Sequence, residues 1–232
     1  MRIENNYSVK AHNTFGINQI TKRFIEYSSA DELKELIKSG KLEQPFFHIG
    51  AGSNLLFVDD YEGTLLHSAI CYIHPVKETK DEVWVSVGAG TCWDDFVAHC
   101  VEKEWYGVEN LSLIPGEVGS AAVQNIGAYG VEVKDLLVSL KAINLLTGEE
   151  REFSHAECQY DYRYSCFKQP EMKVWAVVEV TFKLSKQPTF NLTYKGLLSE
   201  LGEQPYSLET IRKAVIDLRE SKLPDYRILG NA

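Results

Sequence analysis

The chain has 232 residues, 44% hydrophobic and 25% charged, which suits one or two packed domains and excludes a wholly disordered polypeptide. A formal net charge of −9 argues against a general nucleic-acid or anionic-membrane binder, but leaves room for an anion in a locally positive pocket. No apolar run reaches the roughly 18–20 residues of a membrane span, and MRIENNYSVK lacks the apolar stretch of a secretory signal, so a cytoplasmic protein is expected.

Ser29-Ala-Asp-Glu32 reads as a capping box that opens a helix with Leu33, Leu36 and Ile37 on one face and Gly40 at its end. Phe46–Ile49 is predicted as a short buried strand running into Gly50, with a boundary near residues 60–75. Val83–Val87 reads as a strand ending in Gly88-Ala-Gly90. Thr91-Cys-Trp-Asp94 then starts a second helix, whose apolar face carries Trp93, Phe96, Val97, Cys100 and Val101. Val138–Leu145 alternates up to a hairpin-like turn at Thr147-Gly148, and Val174, Ala176, Val178, Val180, Phe182 and Leu184 trace one face of a long strand. Pro188, Gly202 and Pro205 mark a second boundary near residues 185–206. Ser207 caps a third helix with Leu208, Ile211, Val215 and Leu218 on one side, ended by Pro224. Without a strict βαβ rhythm the class is α+β. Five cysteines with no CxxC pair point to reduced thiols, and six histidines with no HxxxH or HxH spacing point to no metal site.

The residues with chemical potential lie in glycine clusters: Gly50-Ala51-Gly52-Ser53-Asn54, Gly88-Ala-Gly90, Pro115-Gly116-Glu-Val-Gly119-Ser120 and Asn125-Ile-Gly127-Ala128-Tyr129-Gly130. Glycine lets the backbone turn tightly and approach a ligand, and successive N–H groups can cradle phosphate oxygens. Ser53, Asn54, Ser120, Gln124 and Asn125 add neutral donors suited to a pyrophosphate; each cluster taken singly also reads as an ordinary turn. Leu55 stands where a dinucleotide fingerprint needs its third glycine, and no cluster carries the Lys-Ser/Thr of a Walker loop. Arg163 lies in Tyr160-Asp-Tyr-Arg-Tyr-Ser165, either to stabilise an oxyanion or as a surface arginine stacked on tyrosine. Tyr194 is a further candidate or a loop aromatic. Arg219 and Lys222 either bind phosphate or complement a helix C-terminus.

Asn13-Thr-Phe-Gly16, Gly50–Leu55, Ile114–Ser120, Gln124–Gly130, Tyr162–Ser165 and Lys222-Leu-Pro224, in this order, resemble the UDP-N-acetylenolpyruvoylglucosamine reductase family over essentially the whole chain. The resemblance implies an FAD-binding fold of the vanillyl-alcohol-oxidase (PCMH) type, with two subdomains clasping the flavin: residues 1–70, residues 71–222 with a substrate-covering loop, and residues 223–232 as the start of a further substrate domain. It implies that NADPH reduces FAD, that hydride passes to the enolpyruvyl β-carbon of a nucleotide sugar, and that a protein acid protonates the α-carbon. By this likeness Gly50–Leu55 and Pro115–Tyr129 hold FAD, and Arg163 polarises the substrate carboxylate. Tyr194 covers the substrate, and Arg219 and Lys222 lie near phosphates. A monomer is implied. The family's proton-donating serine would fall two residues past Ala232, with a later glutamate and the third domain beyond it. A flavin module that binds FAD but turns over poorly is therefore expected. The other readings are a non-catalytic flavin-binding protein of the same fold and a flavin oxidase with another substrate.

Overall fold

The computed structural model describes residues 1–203 and 205–230; Asn231 and Ala232, the end of the segment expected at 223–232, lie outside the described residues. The chain runs through β1 (Arg2–Ser8), β2 (Ile20–Tyr27), α1 (Ala30–Lys38), β3 (Phe46–Ile49) and β4 (Tyr61–Ser68). It continues through β5 (Ile73–Glu78), β6 (Glu82–Gly88), α2 (Trp93–Glu102), α3 (Val118–Gln124) and a small hairpin of β7 (Gly127–Ala128) and β8 (Val131–Glu132). It closes with β9 (Leu137–Asn144), β10 (Glu150–Ser154), β11 (Trp175–Ser185), α4 (Lys195–Leu201), α5 (Leu208–Lys222) and α6 (Tyr226–Leu229). Strands β1–β4 form a four-stranded sheet in the order β1-β2-β4-β3, with β2, β4 and β3 parallel. A five-stranded antiparallel sheet has the order β10-β9-β11-β6-β5. The α+β class follows from this mixture, and among the described residues no helix is long and apolar enough to cross a membrane.

Helix starts follow the sequence with local changes. Ser29 caps α1 by accepting the Glu32 N–H at 3.1 Å, but the Glu32 carboxylate does not return to Ser29. It accepts from the Ser28 N–H and the N-terminal ammonium instead, so only half of the expected capping box forms. Thr91 does not cap α2; its hydroxyl pairs with the Tyr72 backbone. Ser207 caps α5 by accepting the Thr210 N–H at 3.2 Å.

Two expectations for strands change. β3 is the outer strand of its sheet, so Phe47 is 41% exposed and the strand is only partly buried. β11 does not keep one apolar face. A bulge shifts its register against β9 between Val177 and Glu179, and the alternation slips by one residue. Val180, Phe182 and Leu184 therefore join α2 and α3 in the larger core, while Ala176 and Val178 join α1, Ile25, Tyr27 and Leu66 in a second one. Through that second core the five-stranded sheet is glued to the four-stranded one. In the larger core Phe182 stacks on Phe96 at 4.9 Å and meets Trp93 edge-on at 6.0 Å, all three fully buried. Phe182→Ala is expected to lower the unfolding free energy by about 3–5 kcal/mol, measured by denaturant titration; a loss under about 1 kcal/mol would show that this core collapses around the gap.

Candidate functional site

Two neighbouring cavities share a wall. The first, of about 270 Å³, lies between the loop after β3 and the α3–β11 wall; the second, of about 370 Å³, continues past α3 to α5. Ser53, Asn54, Glu117, Ser120 and Gln124 line both.

Glycine makes this cleft possible where two backbones meet. Gly52 has φ +71° and lies so close to the loop after β1 that a Cβ would overlap the His12 carbonyl. A Cβ at Gly50 would lie 2.9 Å from Ser120 Oγ, and one at Gly119 would lie 2.8 Å from the Ala89 Cβ. Side chains then tie the walls together. Ser53 Oγ donates to the Pro115 carbonyl at 3.1 Å, and Asn54 Nδ2 donates to Gln124 Oε1 at 2.9 Å. Gly88 and Gly90 differ from the other clusters: a Cβ at either would strike the Ile70 or Ser68 carbonyl, so they serve chain packing rather than the cleft.

Most residues singled out from the sequence reach the two cavities: Gly50, Gly52, Ser53, Asn54, Leu55, Pro115, Gly116, Gly119, Ser120, Gln124, Gly127, Arg163 and Arg219. Ala51, Asn125, Ala128, Tyr129, Tyr194 and Lys222 are not among the lining residues. Asn125 is fully buried at the left-handed end of α3; its amide donates to Glu132 and to the Asp161 carbonyl, and its oxygen accepts the Lys134 N–H. It is a strut that fixes the Asp161–Tyr164 turn. Arg163 stands at the tip of that turn with φ +52°, and its Nη2 donates to the Gly127 carbonyl at 2.8 Å.

The other basic group arrives from α5. Arg219 Nε donates to the Leu113 carbonyl at 3.1 Å. The Leu113 N–H donates to Asp94 at 2.6 Å, and Asp94 also holds Arg212 in a two-pronged pair at 2.7 and 2.9 Å. Burial pushes Asp94 up, but Arg212 and the Leu113 N–H outweigh it and keep its carboxyl below the usual range. Burial holds the Arg219 guanidinium below its ordinary value, opposed by Tyr129 and Asp94. Tyr129 packs edge-on to Tyr194 at 5.1 Å, and Lys222 Nζ lies 6.0 Å over the Tyr194 ring. Asn110 secures this corner by donating to the carbonyls of Tyr129 and Asn191, both at 2.8 Å.

Sequence reading missed Phe47, Phe167, Lys168, Lys173 and Trp175, which wall the first cavity, and Glu117, which lines both. They come from β3, the segment before β11, the first residue of β11 and the α3 cap, so no local spacing announces them. Beneath Glu117 lies His67 of β4, also unflagged. Its Nε2 is 2.8 Å from Glu117 Oε1 and its Nδ1 is 3.0 Å from Glu26 Oε2.

Residues 21–154 match the family model described as an FAD binding domain. The chain is 54% identical over 231 residues to a UDP-N-acetylenolpyruvoylglucosamine reductase of Bacteroides fragilis strain YCH46, covering 99% of this chain and 69% of that protein. It is 45% identical to the enzyme of that name from Porphyromonas gingivalis, covering 100% of this chain and 70% of that protein. Among solved structures, the UDP-N-acetylenolpyruvylglucosamine reductase of Thermus caldophilus shares the fold with a TM-score of 0.71 at 24% identity, covering 97% of this chain and 71% of that one. An alkyldihydroxyacetonephosphate synthase shares it with a TM-score of 0.53 at 13% identity, covering 73% and 32%.

Gly52→Ala combines a left-handed backbone with a clash, whereas Gly40→Ala, at φ +66° with nothing within 4 Å, carries strain alone. Gly52→Ala is expected to cost about 2 kcal/mol or more, and Gly40→Ala about 1 kcal/mol, by denaturant unfolding. Equal losses would mean that the close approach at Gly52 relaxes freely.

Proposed function

The chain belongs to the UDP-N-acetylenolpyruvoylglucosamine reductase family, and from that premise we propose how its cleft divides the work. The activity is the FAD-dependent, NADPH-driven reduction of UDP-N-acetylglucosamine enolpyruvate to UDP-N-acetylmuramate in peptidoglycan synthesis. The residues fit a dinucleotide on their own evidence. The two cavities fall together within the roughly 300–1,000 Å³ of small-molecule sites, and side chains at Gly50, Gly52 and Gly119 would fill or distort the cradle. The donors along it, Ser53, Asn54, Ser120 and Gln124, are neutral and suit a pyrophosphate, while Trp175, Phe167 and Phe47 supply apolar wall.

FAD, when bound, supplies the hydride that NADPH provides and the enolpyruvyl group accepts. The chain's own residues orient and polarise. Arg163 lines the second cavity with one N–H of its fork fixed on Gly127, so the rest of the guanidinium is pre-positioned for the substrate carboxylate and the negative charge that builds on it. Arg219 lines the same cavity from α5, and Lys222 and Tyr194, packed together beside Tyr129 outside the lining residues, would extend that basic, aromatic side toward a nucleotide-sugar diphosphate. The observation that carries this reading is the convergence of a glycine-built, neutral-donor cradle with Arg163 and Arg219 in one cleft.

The test is a visible-spectrum titration of the purified chain with FAD, followed by NADPH and the enolpyruvyl substrate. Saturable uptake of FAD is expected. Arg163→Met is expected to leave that uptake within about twofold while lowering substrate reduction by about 10²–10³-fold. Loss of FAD uptake in this variant would move Arg163 from substrate to cofactor.

A further inference from the structure

His67 is an acceptor-rich oddity. Both of its ring nitrogens face carboxylate oxygens, Glu26 at 3.0 Å and Glu117 at 2.8 Å, and its side chain is only 10% exposed. Ionised carboxylates only accept hydrogen bonds, and a neutral imidazole has one donor. Both contacts are satisfied together when His67 carries two protons. The partners also stand on different walls. Glu26 and His67 lie on β2 and β4 of the four-stranded sheet. Glu117 caps α3 on the opposite wall, where its neighbours are pinned by Val118 N–H to Thr91 carbonyl and Gly119 N–H to Ala89 carbonyl bonds, each 2.9 Å. The second Glu117 oxygen lies beside Gly50, 3.2 Å from where a Cβ would stand, in the cradle itself.

We infer that His67 is a positioning residue for the dinucleotide cleft: its imidazolium ties the four-stranded sheet to the α3 wall and neutralises and restrains the Glu117 carboxylate where a pyrophosphate would lie. The inference rests on the FAD reading. Without the imidazolium, Glu26 and Glu117 would both be anions with no shared cation between them, and Glu117 would repel phosphate oxygens.

The surrounding groups leave His67 as the switching member. Burial alone would lower its imidazole, but Glu117 and Glu26 outweigh that and hold it above the ordinary value. His12, whose ring is 4.9 Å away and bonds the Tyr7 hydroxyl, is pushed down to about 4 by burial and then by His67. Burial likewise pushes His48 on β3 down to about 3, so both are neutral near pH 7. Arg2 on β1 lies 3.8 Å from the other Glu26 oxygen. Burial raises the Tyr27 hydroxyl on β2 and the Cys71 thiol after β4. Because His67 is raised in the folded chain, its contribution is fully present at low pH and disappears as pH rises through its folded value.

The experiment is FAD binding to the apo chain, read by flavin fluorescence, from about pH 6 to about pH 9.5. The dissociation constant is expected to rise about tenfold across the range. His67→Gln, which cannot carry the charge, is expected to bind about tenfold more weakly at neutral pH, with a flattened profile. Glu26→Gln removes one anion and should move the inflection to lower pH. Equal affinity and equal pH dependence in wild type and His67→Gln would overturn the inference, as would a variant that loses thermal stability but keeps the wild-type profile. If His67→Gln does not fold, or if wild type takes up no FAD at any pH, which sinks the cofactor reading itself, NMR titration of the His67 ring decides. A ring pKa above the free-histidine value that falls in Glu26→Gln upholds the clasp; one at or below it, or unmoved, overturns it.

Discussion

The structure depends on chain segments approaching one another closely at glycine positions. Gly52 touches the His12 carbonyl, Gly50 faces Ser120, and Gly119 sits on Ala89. Gly88 and Gly90 let β6 and the turn after it press against Ile70 and Ser68. These contacts bring the four-stranded sheet, the α3 segment and the five-stranded sheet within hydrogen-bonding reach. Once they are made, Ser53 can reach Pro115 and Asn54 can reach Gln124, and the space left between the contacts is the cleft. A methyl group at Gly52 would drive into the His12 carbonyl and separate walls that short polar side chains must span.

Around that cleft, apolar packing sets where each wall stands. The bulge in β11 divides one strand between two cores, so a single stretch of chain anchors α2 and α3 on one side and α1 with the four-stranded sheet on the other. A regular strand would have sent Ala176, Val178 and Val180 into the same core and left one of the two interfaces without its apolar partner. The walls of the site are therefore positioned in part by residues that do not line it, among them Ala176, Val178 and Phe182.

The charges in the site are placed by relays. Arg219 is aimed by the Leu113 carbonyl, while the same residue's N–H is held by Asp94, itself gripped by Arg212. Arg163 is aimed by Gly127 and by a turn that Asn125 buttresses. In a partly buried cavity a guanidinium loses solvation, and a fixed direction is what makes the remaining charge useful to a bound anion. Glu117, an acid among these cations and neutral donors, is paired from beneath by His67.

Local chemistry was legible in the sequence. The helices beginning after Ser29, near Thr91 and after Ser207, the strand ending at Gly88 and the strand before the Thr147-Gly148 turn all lie where their residues place them, because capping, turn formation and periodicity act over a few neighbours. The ordered motifs also identified the family and its cofactor. Tertiary structure alone decided the rest. It made β3 an outer strand and slipped the faces of β11 at a bulge. It turned Asn125 inward as a strut while Gln124 beside it lines the cleft, and set His67 between Glu26 and Glu117 across 41 and 50 residues of sequence. Those outcomes depend on which distant backbone arrives at a given surface, and no window of neighbouring residues carries that information.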